Sequence, residues 1–261
     1  MQRSLFTGAT GMKGQQTSLD VLANNLANVN TTAFKRSRVD FQDLLYQTIR
    51  APGAVSSQGF EIPSGIQLGN GVGVSSITKI FQQGSFIASS NSLDVAIEGD
   101  GFFEITLPDG SIAYTRDGSF KMNRDGVMVT SDGYPLEPEI SIPDDAIAIT
   151  IGSDGTVSAT LSDSSIDELG QIELARFINP AGLLSHGRNL YLETEASGDP
   201  ILSVPGEEGA GTLRQGFLEG SNVSVVDEIV QMIITQRAFE VNSSVIRTSD
   251  EMLQTANNMR T

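Results

Sequence analysis

The 261-residue chain has no cysteine, no tryptophan, one histidine and no apolar run near the length of a membrane-crossing helix. Without cysteine there is no disulfide, no thiolate metal site and no cysteine nucleophile. The one histidine, His186 in LLSHGRNLY, has no GxSxG elbow to serve. A zinc site built on it would need three carboxylates. Basic residues are scarce as well: 16 Lys and Arg stand against 32 Asp and Glu, for a net charge of -16. That excludes the basic stripe that nucleic acid requires. Aromatic content is only 6%, which is thin for a compact enzyme and leaves room for elongated parts with small cores. The opening MQRSLFTGATGMKGQQ lacks the apolar stretch of a secretory signal. The expectation is a cytoplasmic chain, or one exported by a route that does not read such a signal.

What is present is unevenly placed. Residues 1–50 carry a net +3, residues 51–220 a net -17 and residues 221–261 a net -2. A solvated acidic surface accounts for the middle segment. Its twenty-four acids always offer pairs, so a cell-wall glycan hydrolase has no specific signal behind it. Gly69, Gly71 and Gly73 lack the GxGxxG spacing of a nucleotide loop. The Asp-Gly pairs extend neither to an EF-hand loop nor to the calcium nonapeptide. No catalytic residue, cofactor or metal is predicted.

Both ends carry helical patterning. Leu5, Met12, Leu19 and Leu26 recur every seven residues, with Leu22 and Val29 three residues on, on a helix otherwise rich in Gln, Asn and Thr. Gly8, Gly11 and Gly14 each cost about 1 kcal/mol relative to alanine inside a helix. This helix is therefore expected to order only when its stripe is covered. At the other end Ser224-Val-Val-Asp227 resembles a capping box. Val225, Met232, Phe239, Ile246 and Leu253 then hold one heptad position, Ala238, Val245 and Met252 lie beside them, and Thr235, Asn242, Ser249 and Ala256 keep the other seam position small or polar. Some 35 helical residues span on the order of 50 Å. The two ends are predicted to pack as a coiled-coil-like domain, within one chain or between copies.

Between the ends, residues 34–50 hold Leu44, Tyr46 and Ile49 at mixed spacing, and residues 51–74 are dense in Gly, Pro and Ser, with Pro52, Pro63 and Ile66. So long a segment suggests a functional stretch or an extended strand pair. Residues 75–218 read as β. Six Asp-Gly pairs (at 100, 109, 117, 125, 132 and 154) suit hairpin turns, which implies a meander or small barrel. The 160s, SDSSIDELG, read as a loop. The expected class is α+β: residues 1–30 with 221–261 as a helical domain, 31–74 as an extended stretch, and 75–220 as an all-β domain.

Three stretches carry a resemblance. NNLANVNTTAFKR (24–36) resembles the N-terminal signature of bacterial flagellar rod and hook proteins. LDVAIEGDGFFEI (93–105) and YTRDGSFKMNRDGVMVTSDGYPL (114–136) are similar to their β-domain signature, and EGSNVSVVDEIVQMIITQRAFEVNSSVIRTSDEMLQ (219–254) resembles their closing helix. Residues 41–72 look like the insertion of the family's distal-rod branch, with hook and proximal-rod subunits as the alternatives. The resemblance implies a homopolymer whose terminal helices line an inner tube and whose β domain lies outside. It further implies a torque-transmitting shaft in the periplasm, export through the flagellar type III apparatus without a cleaved signal, and as partners proximal rod proteins, hook protein and the surrounding periplasmic and outer-membrane rings. The apolar heptad residues would pack subunits together, and Leu44, Tyr46, Ile49, Pro52, Pro63 and Ile66 would stiffen the shaft. A surface adhesin is a further rival, but the chain has no secretory signal of the kind one would carry.

Overall fold

The computed structural model describes residues 2–51, 64–163, 165–207 and 209–259, and they form two compact units. The first comprises residues 1–27, 37–79 and 224–261; the second comprises residues 28–36 and 80–223.

The first unit is built on two long helices, α1 (Gln2–Ala27) and α2 (Val225–Asn258). They run antiparallel. The Ser4 and Ser249 hydroxyls meet at 3.1 Å near one end, and the Asn25 side-chain amide donates to Glu228 Oε2 at 3.2 Å near the other. Helix α2 starts where the sequence says it should: Ser224 is extended, its hydroxyl accepts from the Asp227 amide, and Asp227 and Glu228 fill the first turn. Helix α1 passes through Gly8, Gly11 and Gly14 without a break, and these glycines are the points of closest approach. A Cβ at Gly8 would lie 3.0 Å from Ile246, one at Gly11 2.9 Å from the Asn242 amide, and one at Gly14 3.1 Å from the Phe41 ring. The helical cost of each glycine is thus offset by contact that no larger residue would permit.

The unit is completed by a long antiparallel hairpin. Strand β1 (Ser37–Asp43) pairs with β4 (Val72–Lys79), with an irregularity between Asp40 and Phe41. Beyond them β2 (Gln47–Arg50) pairs with β3 (Ile66–Leu68). Pro52 and Pro63 lie outside the described residues. Asn25 fastens hairpin to helix: its Oδ1 accepts from the Ser37 amide and its Nδ2 donates to the Ser37 carbonyl, each at 2.9 Å.

The second unit is antiparallel β throughout its described pairings. A five-stranded sheet has the order Leu136–Glu137, Phe103–Thr106, Ile112–Thr115, Leu190–Leu192, Leu184–Gly187, and a three-stranded sheet runs Ala146–Ile151, Thr156–Leu161, Ile166–Gln171. Two further pairs close the unit on itself, Val95–Glu98 with Thr212–Gln215 and Phe86–Ala88 with Phe217–Glu219. Val95, Ile97, Phe103, Ile105, Phe120, Met128, Leu136, Val157 and Leu174 form one continuous buried core. A smaller aromatic cluster of Phe102, Tyr114, Phe177 and Tyr191 stands beside it, its rings meeting edge to face at 4.8 to 6.0 Å.

Three sequence expectations need correction here. Ser162 and Asp163 turn, but Ile166–Gln171 is a strand, not loop. Its Asp167 and Glu168 are the charges expected of an edge strand, and they hid its pairing. The strand order is not that of a plain meander, because the Leu190–Leu192 strand inserts beside Ile112–Thr115. Finally, four Asp-Gly pairs occupy tight turns, but Asp100-Gly101 and Asp117-Gly118 join strands that pair elsewhere. Gly118 is required for another reason: a Cβ there would sit 1.7 Å from the Val95 carbonyl oxygen, which leaves room only for glycine.

Candidate assembly surface

In the first unit the fully buried described residues are Gly8, Gly11, Gly14, Asn25, Glu228, Thr235 and Ser249: every one is glycine or polar. The stripe residues Leu5, Met12, Leu19, Leu22 and Leu26 are only partly buried, and so is Val29 in the turn after α1. On α2, Met232, Ile246 and Leu253 are partly buried, and Ile246 meets Gly8. Val225, Phe239 and Val245 are exposed. The seam between the two helices therefore runs through small and polar side chains, and the apolar residues flank it.

The face of α2 opposite the seam is more apolar still. Val226, Ile229, Val230, Ile233, Ile234 and Val241 all lie open, Val226 at 71% and Val241 at 62% exposure. At 100° per residue they span roughly 140° of the helix surface. The heptad reading singled out the flank of the seam and missed this second face. Its signal was legible in VVDEIVQMII, where apolar residues cover roughly 200° of the circumference and leave only Asp227, Glu228 and Gln231 on the remaining side. The hairpin repeats the theme: Leu44 is partly buried, whereas Tyr46, Ile49 and Ile66 are exposed and Leu45 stands 89% open beside them.

The second unit holds a cluster of buried charges. Lys35 and Arg116 share one carboxylate, Lys35 Nζ at 2.7 Å from Glu219 Oε1 and Arg116 Nε at 2.8 Å from Oε2, with all three side chains out of solvent. Donors and acceptors around them are matched: the Gly84 amide donates to Glu219, Lys35 donates to the Gln82 carbonyl, and Arg116 donates to the Gly99 and Gly101 carbonyls. Burial by itself would raise the Glu219 carboxyl, but Arg116, Lys35 and the hydrogen bonds outweigh it and hold the group below its ordinary range. Burial, followed by the Arg116 charge, pulls Lys35 downward while Glu219 opposes both. This cluster locks the 28–36 segment to the strand Phe217–Glu219, where the Ala33 amide also donates to the Glu219 carbonyl at 2.7 Å. It explains why AFKR and EGSN belong together, a long-range link that sequence spacing does not carry.

Elsewhere in this unit Glu104 is 5% exposed and sits directly across from Glu137 on one side and Tyr114 on the other. Burial, then Glu137 and Glu173, push its carboxyl up to about 7. His186 lies exposed on the edge strand Leu184–Gly187.

A compact β body, joined to a helical unit whose fully buried positions are all glycine or polar, defines a class: a subunit that presents its apolar surface to neighbours. Comparison with known proteins agrees with that class. Residues 5–35 match the family described as flagella basal body rod protein, residues 96–159 the flagellar hook protein FlgE/F/G D1 domain, and residues 214–259 the flagellar basal body rod FlgEFG protein C-terminal region. The flagellar basal-body rod protein FlgG of Borreliella burgdorferi is 51% identical over 263 residues, covering 100% of this chain and 99% of its own length. FlgG of Buchnera aphidicola subsp. Schizaphis graminum is 52% identical, covering 96% and 97%. FlgG of Bacillus subtilis is 43% identical and covers both chains fully. The chain belongs to the family of flagellar basal-body rod proteins FlgG.

Proposed function

We propose that the chain is a non-catalytic structural subunit of the distal rod of the flagellar basal body. It polymerises through α1 and α2 into a rigid hollow helical shaft and transmits motor torque to the hook. The observation that carries this reading is the inverted burial of the helical unit: glycine and polar residues inside, isoleucine and valine outside. An open isoleucine- and valine-rich face is unfavourable in water by roughly 25 cal/mol per Å² and is relieved when a neighbouring copy covers it. Different faces of one subunit then meet in a head-to-tail contact that does not close, which generates a helical polymer.

In this reading the helices pair in coiled-coil fashion and line the inner wall, while the β unit of residues 80–223 forms the outer domain. The subunit reaches its place by the flagellar type III apparatus without a cleaved signal, and meets proximal rod proteins, hook protein and the rings around the rod. The hairpin of residues 37–79, with its open Tyr46, Ile49 and Ile66, bridges neighbouring copies and limits the sliding that bending requires. Expression in a bacterium lacking its own FlgG tests the assignment. Rods and motility should return; a well-expressed, exported chain that restores neither would overturn it. Deletion of residues 46–63 tests the stiffening role, with curved or flexible rods expected and unchanged straight rods counting against it.

A further inference from the structure

The second unit carries two complementary patches that the helical contacts leave unused. One is a groove of about 310 Å³ lined by Asp100, Phe102, Arg176, Ile178, Pro180 and Ile201, with Arg116 in its wall. Ile178 stands 83% exposed at its edge. Arg176 makes no ion pair with another described residue, and the buried Lys35–Glu219–Arg116 cluster behind it has two cations for one carboxylate. With Asp100 on the groove wall counted, Arg176, Arg116 and Lys35 still outnumber Asp100 and Glu219 by one, so in a segment whose net charge is -17 this is a site of local positive excess with apolar walls.

The other patch is the far end of the three-stranded sheet. Ile147 and Ile166 are 73% and 75% exposed there, amid Asp144, Asp145, Asp163, Asp167 and Glu168, all open to solvent. The sheet joins the core at its opposite end, where the Ile172 amide donates to the Gly155 carbonyl and Leu174 enters the core. Strand Ile166–Gln171 runs from the acidic tip toward that junction, so about 20 Å separates the tip from the strand Leu174–Arg176 that bears the groove. The tip cannot fill its own groove.

Resting on the assembly reading above, we propose that the acidic tip of one copy, carrying Ile166, Asp167 and Glu168, seats in the Arg176 groove of the next. Ile166 meets Ile178 and Ile201, and the Asp167 or Glu168 carboxylate meets the Arg176 guanidinium. The two patches differ, so the contact is head-to-tail and repeats along a polymer. It also turns the like-charge repulsion between acidic neighbours into a directional preference, because the acidic tip is attracted to the cationic groove and repelled by the acidic surface around it.

The absence of cysteine makes the test clean. Ile166→Cys and Ile178→Cys are placed on one chain, rods are isolated and checked by electron microscopy, and the sample is oxidised. A disulfide ladder of dimers and higher multimers is expected, absent from either single variant. Normal rods with free thiols and no ladder overturn the contact while leaving the assembly reading standing. Should the double variant form no rods, charge reversal decides. Arg176→Glu should reduce swarming at least severalfold, and Asp167→Lys with Glu168→Lys in the same chain should restore it. Unimpaired swarming of Arg176→Glu, or a defect the reversal leaves unrestored, overturns the contact.

Discussion

The two units bury opposite things. In the second, Val95, Ile97, Phe103, Ile105 and Phe120 are fully buried, and most of the buried charge is held in the matched Lys35–Glu219–Arg116 cluster. In the first, the buried described positions are three glycines, Asn25, Glu228, Thr235 and Ser249, and Ile229, Ile233 and Ile234 face outward. The β unit is stable by its own packing. The helical unit leaves apolar surface to be buried later, and its helices gain order when neighbours arrive. The difference separates what this chain does alone from what it does as a polymer.

The sharpest way to break that contrast is to upset the charge balance on each side of it. Ile233→Asp, on the open face of α2, should abolish rod assembly, because an unpaired charge buried in a packed intersubunit contact costs several kcal/mol. The monomer's thermal unfolding should not change; rods of normal length from this variant would remove α2 from the interface. In the second unit, Glu219→Ala leaves two cations buried without a partner. A loss of roughly 3–5 kcal/mol is expected in denaturant unfolding of that unit, and a change under 1 kcal/mol would show that the cluster is hydrated.

Glu104 sharpens the comparison through pH. Its folded carboxyl is raised to about 7 from an ordinary value of 4.5. The stability it contributes is therefore fully present below about pH 4.5 and is lost as pH rises through 7. Glu104→Gln should stabilise the β unit by roughly 2–3 kcal/mol at pH 8, with little effect at pH 4. An unchanged pH profile of unfolding in that variant would show that Glu104 ionises freely. The smallest effect belongs to the helix seam. Gly11→Val brings a Cβ to 2.9 Å from the Asn242 amide, and should cost about 1–3 kcal/mol in helix pairing, read as shorter rods or a higher critical concentration. Wild-type assembly by this variant would mean that the seam opens on polymerisation.

Much of this architecture was legible in the sequence, for physical reasons that differ by element. Helix α2 announced itself through Ser224, Asp227 and a heptad, all local signals. The hairpin turns at Asp109, Asp125, Asp132 and Asp154 followed from the need for positive φ at the glycine, here +81, +81, +87 and +85°. The helix stripes pointed to the flank of the seam: heptad spacing finds a seam, whereas the open face of α2 spreads over neighbouring positions that no single repeat collects. Gly8, Gly11 and Gly14 read as a weakness because propensity counts only the helix that contains them, and their use depends on Ile246, Asn242 and Phe41, distant in sequence. The Lys35–Glu219 pair spans the chain for the same reason. Strand Ile166–Gln171 was hidden because its outward charges carry no apolar alternation.

Hydrogen exchange on dilute monomer and on assembled rods tests the central claim most directly. The account predicts fast exchange across residues 5–26 and 226–258 in the monomer, strong protection of the same residues in the rod, and slow exchange of Val95–Glu98 and Phe103–Thr106 in both states. Slow exchange of the two helices in dilute monomer, matching that of the β core, would contradict it.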